Sequence, residues 1–174
     1  MKPDKPIFFD GEGLRRKLLS QDITADDFLN TLFQNDQSGD MWTGCFENIK
    51  LLEDPDIRSI LVEKQEGAYL NILSITYFHM GRGIAVKDEN DAEAIGYFRK
   101  ALEVAQKRIS DNAFNVQEWI PYIQGTISFL ENNVQQLEEY AEAVTDEANK
   151  RVLNKLIVWL KGGNEPNYKK ALSS

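Results

Sequence analysis

The stretch that decides the fold is residues 92–105, which read Ala-Glu-Ala-Ile-Gly-Tyr-Phe-Arg-Lys-Ala-Leu-Glu-Val-Ala. Within it, Ala94, Phe98, Ala101 and Ala105 follow one another at steps of four and three residues. That spacing puts all of them on one face of an α-helix. Because three of these side chains are small, a second helix can approach this face closely. The stretch therefore predicts a helix that packs tightly in a helical core.

Two capping boxes indicate where helices begin. Asn90-Asp91-Ala92-Glu93 opens the helix just described, which we expect to continue to about Ile109. Thr24-Ala25-Asp26-Asp27 is a second box, with Asp in place of the usual Glu or Gln, and predicts a helix through about Phe33. The side chains expected to be buried by that helix are Phe28, Leu29, Leu32 and Phe33.

A long helix is predicted in the middle of the chain. It begins at Asp54-Pro55, where Asp suits the N-cap and Pro the first helical position. From Ala68 onward it is apolar nearly all round, which is typical of a helix buried on more than one side. We expect Gly81-Arg82-Gly83 to end it after Met80 and residues 84–89 to form a loop.

The remaining apolar stripes also have helical spacing. No segment alternates with the period of two that a half-buried strand requires, so the chain is predicted to be all-α. Pro121 is expected in the first turn of its helix, because proline inside a helix removes a hydrogen bond. The other predicted helices cover residues 14–20, 41–52, 119–131, 134–144, 146–161 and, as a short closing helix, 166–172. Thr145 is the predicted cap of the helix at 146–161.

Composition limits the classes of partner and compartment. The chain has 174 residues, 28 acidic against 20 basic side chains and a net charge of −8. An acidic protein of this kind is a poor general ligand for nucleic acid or for anionic membranes. The single cysteine, Cys45, favours a reducing compartment. Residues 1–10 are too polar and proline-rich for a signal peptide, so we expect a cytoplasmic protein without a membrane span.

The residues that usually carry chemistry are few. His79 is the only histidine, whereas a catalytic triad or a His-rich metal site needs further partners. We interpret His79 as a helix-end residue and Cys45 as a small buried hydrophobic residue. Gly81-Arg82-Gly83 lacks the Gly-Lys-Ser/Thr ending of a phosphate loop. We therefore expect no catalytic residue, no cofactor and no metal.

Charge is distributed unevenly along the C-terminal half. A solvated helix face is the favoured interpretation of an acidic run at 131–147, and a divalent-metal site or a basic partner is the alternative. The run comprises Glu131, Glu138, Glu139, Glu142, Asp146 and Glu147. We interpret Trp42, Trp119 and Trp159 as core or interface anchors, and Trp119, near a loop, as the one most exposed.

Residues 70–105 resemble a tetratricopeptide repeat (TPR). Its first-helix positions match Leu70, Leu73, Ser74 and Tyr77, and its second-helix positions match Ala94, Phe98 and Ala101. Tyr77 and Ala94 are farther apart than in the repeat, and an insertion around residues 81–88 accounts for the difference. A weaker resemblance continues over 121–172, where Gly125 takes a small position.

The length of the chain and its helical patterns predict a single all-α domain over 1–174, in which the resemblance implies the stacked pairs. It would consist of a tail (1–12), N-terminal helices (13–53) that cap one end, and helix-turn-helix pairs (54–174) stacked as a short TPR-like right-handed superhelix. Such a stack implies a scaffold that binds a peptide or protein on the concave face of its first helices. The residues that the resemblance places on that face are Asn71, Ile75, Tyr122, Thr126, Asn154 and Lys155.

The function expected from these features is a non-catalytic protein–protein or peptide interaction module, a scaffold or adaptor. A self-associating structural protein is the first alternative, and the packing of residues 162–172 on their own chain or on another copy distinguishes it. The second alternative is a small-ligand binder or enzyme that uses a core pocket around Tyr77, His79 and Trp119.

Overall fold

The computed structural model describes residues 9–37, 41–87, 90–108 and 114–174. Within these ranges the chain forms α-helices joined by turns and contains no strand, so the all-α prediction is confirmed for them. The helices are α1 Gly11–Leu19, α2 Ala25–Gln37, α3 Met41–Leu52, α4 Pro55–Lys87, α5 Asp91–Gln106, α6 Phe114–Leu130, α7 Val134–Ala143, α8 Glu147–Lys161 and α9 Tyr168–Ser173. None of the described helices is long and apolar enough to cross a lipid bilayer.

The chain divides into two compact units, residues 1–69 and 70–174, and the boundary falls inside α4. In the first unit α1 packs on α2 and α3, and α2 packs on α3. The first part of α4 adds Ile57 and Leu61 to this core, both fully buried. The Tyr69 hydroxyl donates to the Leu52 carbonyl at 3.1 Å.

The capping box at the start of α2 forms as predicted. The Asp27 amide donates to Thr24 Oγ1, and the Thr24 amide donates to Asp27 Oδ2. Phe28, Leu29 and Leu32 are buried, but Phe33 is 42% exposed, so its predicted burial is wrong. Phe33 lies about 100° round the helix from Leu32, beyond the face that contacts α1 and α3. The Trp42 side chain lies outside the described part of the structure.

α4 begins as predicted and ends later. The Asp54 carboxylate accepts from the amides of Asp56 and Ile57 at the start of the helix. The backbone at Gln65 departs from helical geometry, with φ −151° and ψ 46°, inside the helix. α4 then passes through Gly81-Arg82-Gly83 to Lys87, so the predicted end is wrong, as is the predicted loop over 84–87. Residues 88 and 89 of that loop lie outside the described ranges.

In the second unit, neighbouring helices pack in chain order from α5 to α9, and α6 also packs on α8. The predicted inner face of α5 is confirmed, because Ala94, Phe98, Ala101 and Ala105 are all buried. The Asn90 side chain caps this helix by accepting from the Glu93 amide. Small residues on α5 thus meet neighbouring helices as the sequence pattern indicated.

α6 is the most enclosed element of this unit. It begins at Phe114, and Pro121 is its eighth residue, so both the predicted start at Trp119 and the predicted first-turn proline are wrong. Proline there costs one backbone hydrogen bond, which the burial of the following turns offsets. From Tyr122 to Leu130 nearly every side chain is buried. At Gly125 a Cβ would lie 2.9 Å from a methyl of Leu153, so glycine permits the close approach of α8.

The closing segment packs on its own chain. Tyr168, at the start of α9, is 1% exposed, and its ring lies near those of Phe98 (6.3 Å) and Phe129 (6.2 Å). The indole Nε1 of Trp159 donates to the Glu165 carbonyl at 2.8 Å. Asn167 caps α9 through its side chain, which accepts from the Lys170 amide. The closing segment therefore contributes Tyr168 and Ala171 to the core of the second unit.

A candidate partner-binding cleft

A cleft of about 590 Å³ opens on the second unit, between α4, α6 and the beginning of α8. We call it the cleft. Its volume lies in the range of pockets that hold small molecules or a few side chains of a peptide. The residues that line it are Asn71, Ile75, Glu118, Trp119, Thr145, Asp146, Glu147 and Asn149.

Trp119 is held rigidly at the cleft. Its indole Nε1 donates to Ser74 Oγ at 2.9 Å, and Ser74 Oγ donates to the Ala101 carbonyl at 2.9 Å. The ring also packs against Phe78, with centroids 4.9 Å apart, and Tyr122, at 5.7 Å. The indole therefore loses little further freedom when a ligand binds against it. We call Trp119 and Ile75 the apolar wall of the cleft.

Glu118 ties α6 to the chain that leads into α8. Its Oε2 accepts from the amides of Thr145 and Asp146, each at 2.9 Å, and its Oε1 accepts from the Thr145 hydroxyl. The hydroxyl of Thr145, followed by the amide of Asp146, holds the pKa of the Glu118 carboxyl below its usual range. Glu118 is thus ionised at neutral pH and fixes the shape of this end of the cleft.

The start of α8 differs from the sequence prediction by one residue. Asp146, not Thr145, is the N-cap, and its Oδ1 accepts from the Asn149 amide at 2.8 Å. Asp is a strong capping residue because its carboxylate satisfies an amide that has no partner within the helix. The Thr145 hydroxyl instead donates to Glu118.

The α4 side of the cleft combines a polar and an apolar group. Asn71 Oδ1 accepts from Arg108 Nη1 at 2.9 Å, which fixes the side-chain amide and leaves its NH₂ group as the donor for a ligand. Ile75 follows one helical turn later and is half-buried. A bound chain would meet a hydrogen-bond donor and then the apolar wall.

The lining of the cleft is acidic. Glu118, Asp146 and Glu147 contribute carboxylates, and among the described residues that line the cleft there is no Lys or Arg. We call these three residues the acidic rim. Lys150 lies nearby and adds a minor attraction that also lowers the pKa of Glu118, but it does not line the cleft.

The six residues that the resemblance places on the concave binding face lie in three different parts of the structure. Asn71 and Ile75 line the cleft together. Tyr122 and Thr126 are buried in the core, where the Thr126 hydroxyl donates to the Tyr122 carbonyl of its own helix at 3.0 Å. The last two, Asn154 and Lys155, are exposed on α8 and do not line the cleft, and Lys155 Nζ donates to the carbonyls of Leu172 and Ser174.

Sequence reasoning missed most of the α8 side of the cleft. Asp146 and Glu147 belong to the acidic run, but nothing in the pattern separates them from its other members. Glu131 pairs with Arg99 at 2.7 Å and Glu138 pairs with Lys161, as expected of a solvated helix face. The contact of Glu118 with Thr145 spans 27 residues, which no local spacing indicates.

The residues considered for catalysis lie elsewhere. Tyr77 is buried, and neither it nor His79 lines the cleft. His79 lies inside α4 because the helix continues to Lys87, so its predicted helix-end position is wrong. Cys45 is fully buried as predicted, and its thiol donates to Asp36 Oδ1 at 2.7 Å.

Comparisons with known proteins do not extend these observations. Neither the protein-family models nor the curated proteins nor the solved structures yield a match to this chain. The role assigned to the cleft therefore depends on the chemistry of its own side chains.

Proposed function

We propose that the second unit is a non-catalytic recognition module that binds a peptide segment of a partner protein in the cleft. The observation that carries the proposal is the rigid, half-buried Trp119 beside Ile75, open to solvent and flanked by polar groups that can fix a ligand's register. An aromatic anchor surrounded by polar groups is typical of protein interfaces.

The packing of the second unit supports a TPR-like stack. α4 with α5, α6 with α7, and α8 with α9 are three successive pairs along the chain. α6 packs on α8 as well as on α7, and Trp119 of α6 bonds to Ser74 of α4. First helices that lie side by side are the arrangement that the resemblance implies. The cleft opens on these first helices, where the resemblance implies a concave binding face.

The mechanism would be burial of one apolar side chain of the partner on the apolar wall. Full burial of such a side chain is worth about 1.5–3 kcal/mol. The Asn71 amide and the acidic rim would then set the register of the bound segment by hydrogen bonds and charge. Because Trp119 is already fixed by Ser74, Phe78 and Tyr122, little conformational entropy is lost at the wall on binding.

The two alternatives gain less support. Self-association through the closing segment would need that segment on a second copy, whereas Tyr168 is buried within its own chain. A ligand pocket around Tyr77, His79 and Trp119 would need all three side chains at one cavity, and of these only Trp119 is among the described residues that line the cleft.

The test is selection of random peptides, displayed on phage, against the purified chain. Binding of the enriched peptides is then compared between wild type and Ile75→Glu by fluorescence polarisation. We expect Ile75→Glu to abolish detectable binding, because it places a charge on the apolar wall. The matched control is Val158→Glu, the same change at a side chain of α8 that is 72% exposed. Failure to enrich any sequence, or equal binding by Ile75→Glu, would contradict the proposal.

A further inference from the structure

We infer that the segment bound in the cleft is cationic: a peptide of the partner in which a Lys or Arg side chain lies beside an apolar residue. The inference depends on the proposed recognition function and specifies the chemistry of its ligand. It is carried by the cleft itself, whose apolar wall and acidic rim lie within one cavity.

The lining of the cleft is negatively charged. The acidic rim supplies three carboxylates, and the part of the lining that the structure describes holds no basic side chain to neutralise them. Glu147 is exposed, and within the described residues its carboxylate forms no ion pair. A basic side chain of a ligand would provide the missing countercharge.

Part of the backbone at the start of α8 is already bonded within the chain, which disfavours an anionic segment. A helix N-terminus usually attracts anions through its free amides. Here the amides of Thr145 and Asp146 donate to Glu118, and the Asn149 amide donates to Asp146. An anionic ligand would therefore find these donors occupied and would face the acidic rim. The acidic rim thus opposes the usual preference of a helix N-terminus for anions.

The apolar wall also suits a basic side chain of the ligand. The aliphatic stem of Lys or Arg packs well on an indole face, and its cationic end is attracted to the ring. Trp119 and Glu118 both line this cavity. A basic side chain can thus contact Trp119 along its stem and reach the rim with its charge, while an adjacent apolar residue occupies Ile75.

Two cations near the cleft do not alter this preference. Arg108 donates to Asn71, on the α4 side, and Lys150 lies on α8, beyond the lining. Neither side chain is among those that line the cavity. The bonds from Thr145 and Asp146 that hold the pKa of Glu118 below its usual range also keep its charge present at neutral pH.

The test uses the peptides enriched by phage selection on the wild-type chain. Each is synthesised in three forms. The first is the selected sequence, the second has every Lys and Arg replaced by Gln, and the third has every Lys and Arg replaced by Glu. Dissociation constants are measured by fluorescence polarisation in low and high salt. The protein variants are Glu147→Lys and the control Glu142→Lys, which makes the same change on the exposed α7 surface outside the cleft.

The expected result is enrichment of Lys or Arg next to an apolar residue. Replacement by Gln weakens binding several-fold, replacement by Glu weakens it further, and high salt reduces the difference. Glu147→Lys weakens the binding of the selected peptides by about tenfold, because reversing one exposed charge has a modest effect. The same variant partly restores the binding of the Glu-substituted peptides. Glu142→Lys leaves all affinities unchanged.

Two other outcomes separate the inference from the function on which it depends. Enriched peptides that are acidic or neutral, yet require Ile75, would overturn the cationic inference and leave the recognition function standing. Enriched peptides that bind Ile75→Glu as tightly as wild type, or no enrichment at all, would overturn the recognition function and the inference with it.

Discussion

A β-carbon placed on Gly81 would lie 2.9 Å from the carbonyl oxygen of Ala94, closer than side-chain carbons approach a backbone oxygen. The same carbon would lie 3.0 Å from the ring of Phe98. α4 and α5 therefore touch at a point where only a hydrogen atom fits. Gly81 is required by helix packing, although its sequence context is typical of a helix end.

Gly81→Ala and Gly96→Ala should change stability in opposite directions. Both glycines lie inside helices, where alanine gains roughly 0.5–1 kcal/mol over glycine. At Gly96 a β-carbon meets nothing within 4 Å, so this gain should appear in full. At Gly81 it would overlap the Ala94 carbonyl, and overpacking should destabilise by about 1–3 kcal/mol. Urea titration followed by circular dichroism measures both, and a stable Gly81→Ala would refute the close contact.

Ser74→Ala should loosen Trp119. The substitution removes the acceptor of the indole N–H and the donor to the Ala101 carbonyl, at a site only 1% exposed. Leaving such buried groups unpaired costs about 1–3 kcal/mol. We also expect weaker binding of the enriched peptides, since the indole becomes mobile. Ser173→Ala, at an exposed position, is the control for stability, and unchanged peptide affinity in Ser74→Ala would argue against a preorganised wall.

Glu118→Gln should lower stability at neutral pH but not in acid. The folded-state pKa of Glu118 lies below its ordinary value of 4.5, because Thr145 and Asp146 donate to the carboxylate. A depressed pKa contributes stability that is present above 4.5 and is lost as pH falls through the folded-state value. The difference in melting temperature between wild type and Glu118→Gln should therefore shrink below that pH. Glu142→Gln is the control, and a difference that stays constant with pH would contradict the assignment.

Local sequence signals predicted those features whose causes are local. The two capping boxes and the inner face of α5 depend on spacings of three and four residues within one helix, and all form as expected. The continuation of α4 past Gly81 depends on α5, which approaches it from elsewhere in the chain. No residue spacing in the sequence indicates that another helix comes this close to Gly81.

The cleft also combines residues that the sequence could indicate with residues that only the packing of distant helices brings together. The resemblance placed Asn71 and Ile75 on the binding face, and both line the cleft. It placed Tyr122 and Thr126 there too, but α6 is enclosed on nearly all sides, so they are buried. Glu118 and Thr145 are 27 residues apart in the sequence, and they come together only because α6 lies beside the start of α8. Sequence therefore predicted the α4 side of the cleft but not its acidic rim.

Tyr168→Ala should destabilise the chain without changing its oligomeric state. The ring is 1% exposed and lies near Phe98 and Phe129, so its removal leaves a cavity that costs about 3–5 kcal/mol. Lys170→Ala, two residues later on the exposed side of α9, should stay within about 0.5 kcal/mol of wild type. Urea titration gives both free energies, and light scattering gives the mass in solution. If Tyr168 instead packed on a second copy, wild type would scatter as a dimer, and Tyr168→Ala would dissociate it to monomers; that result would move the self-associating alternative ahead of the recognition module.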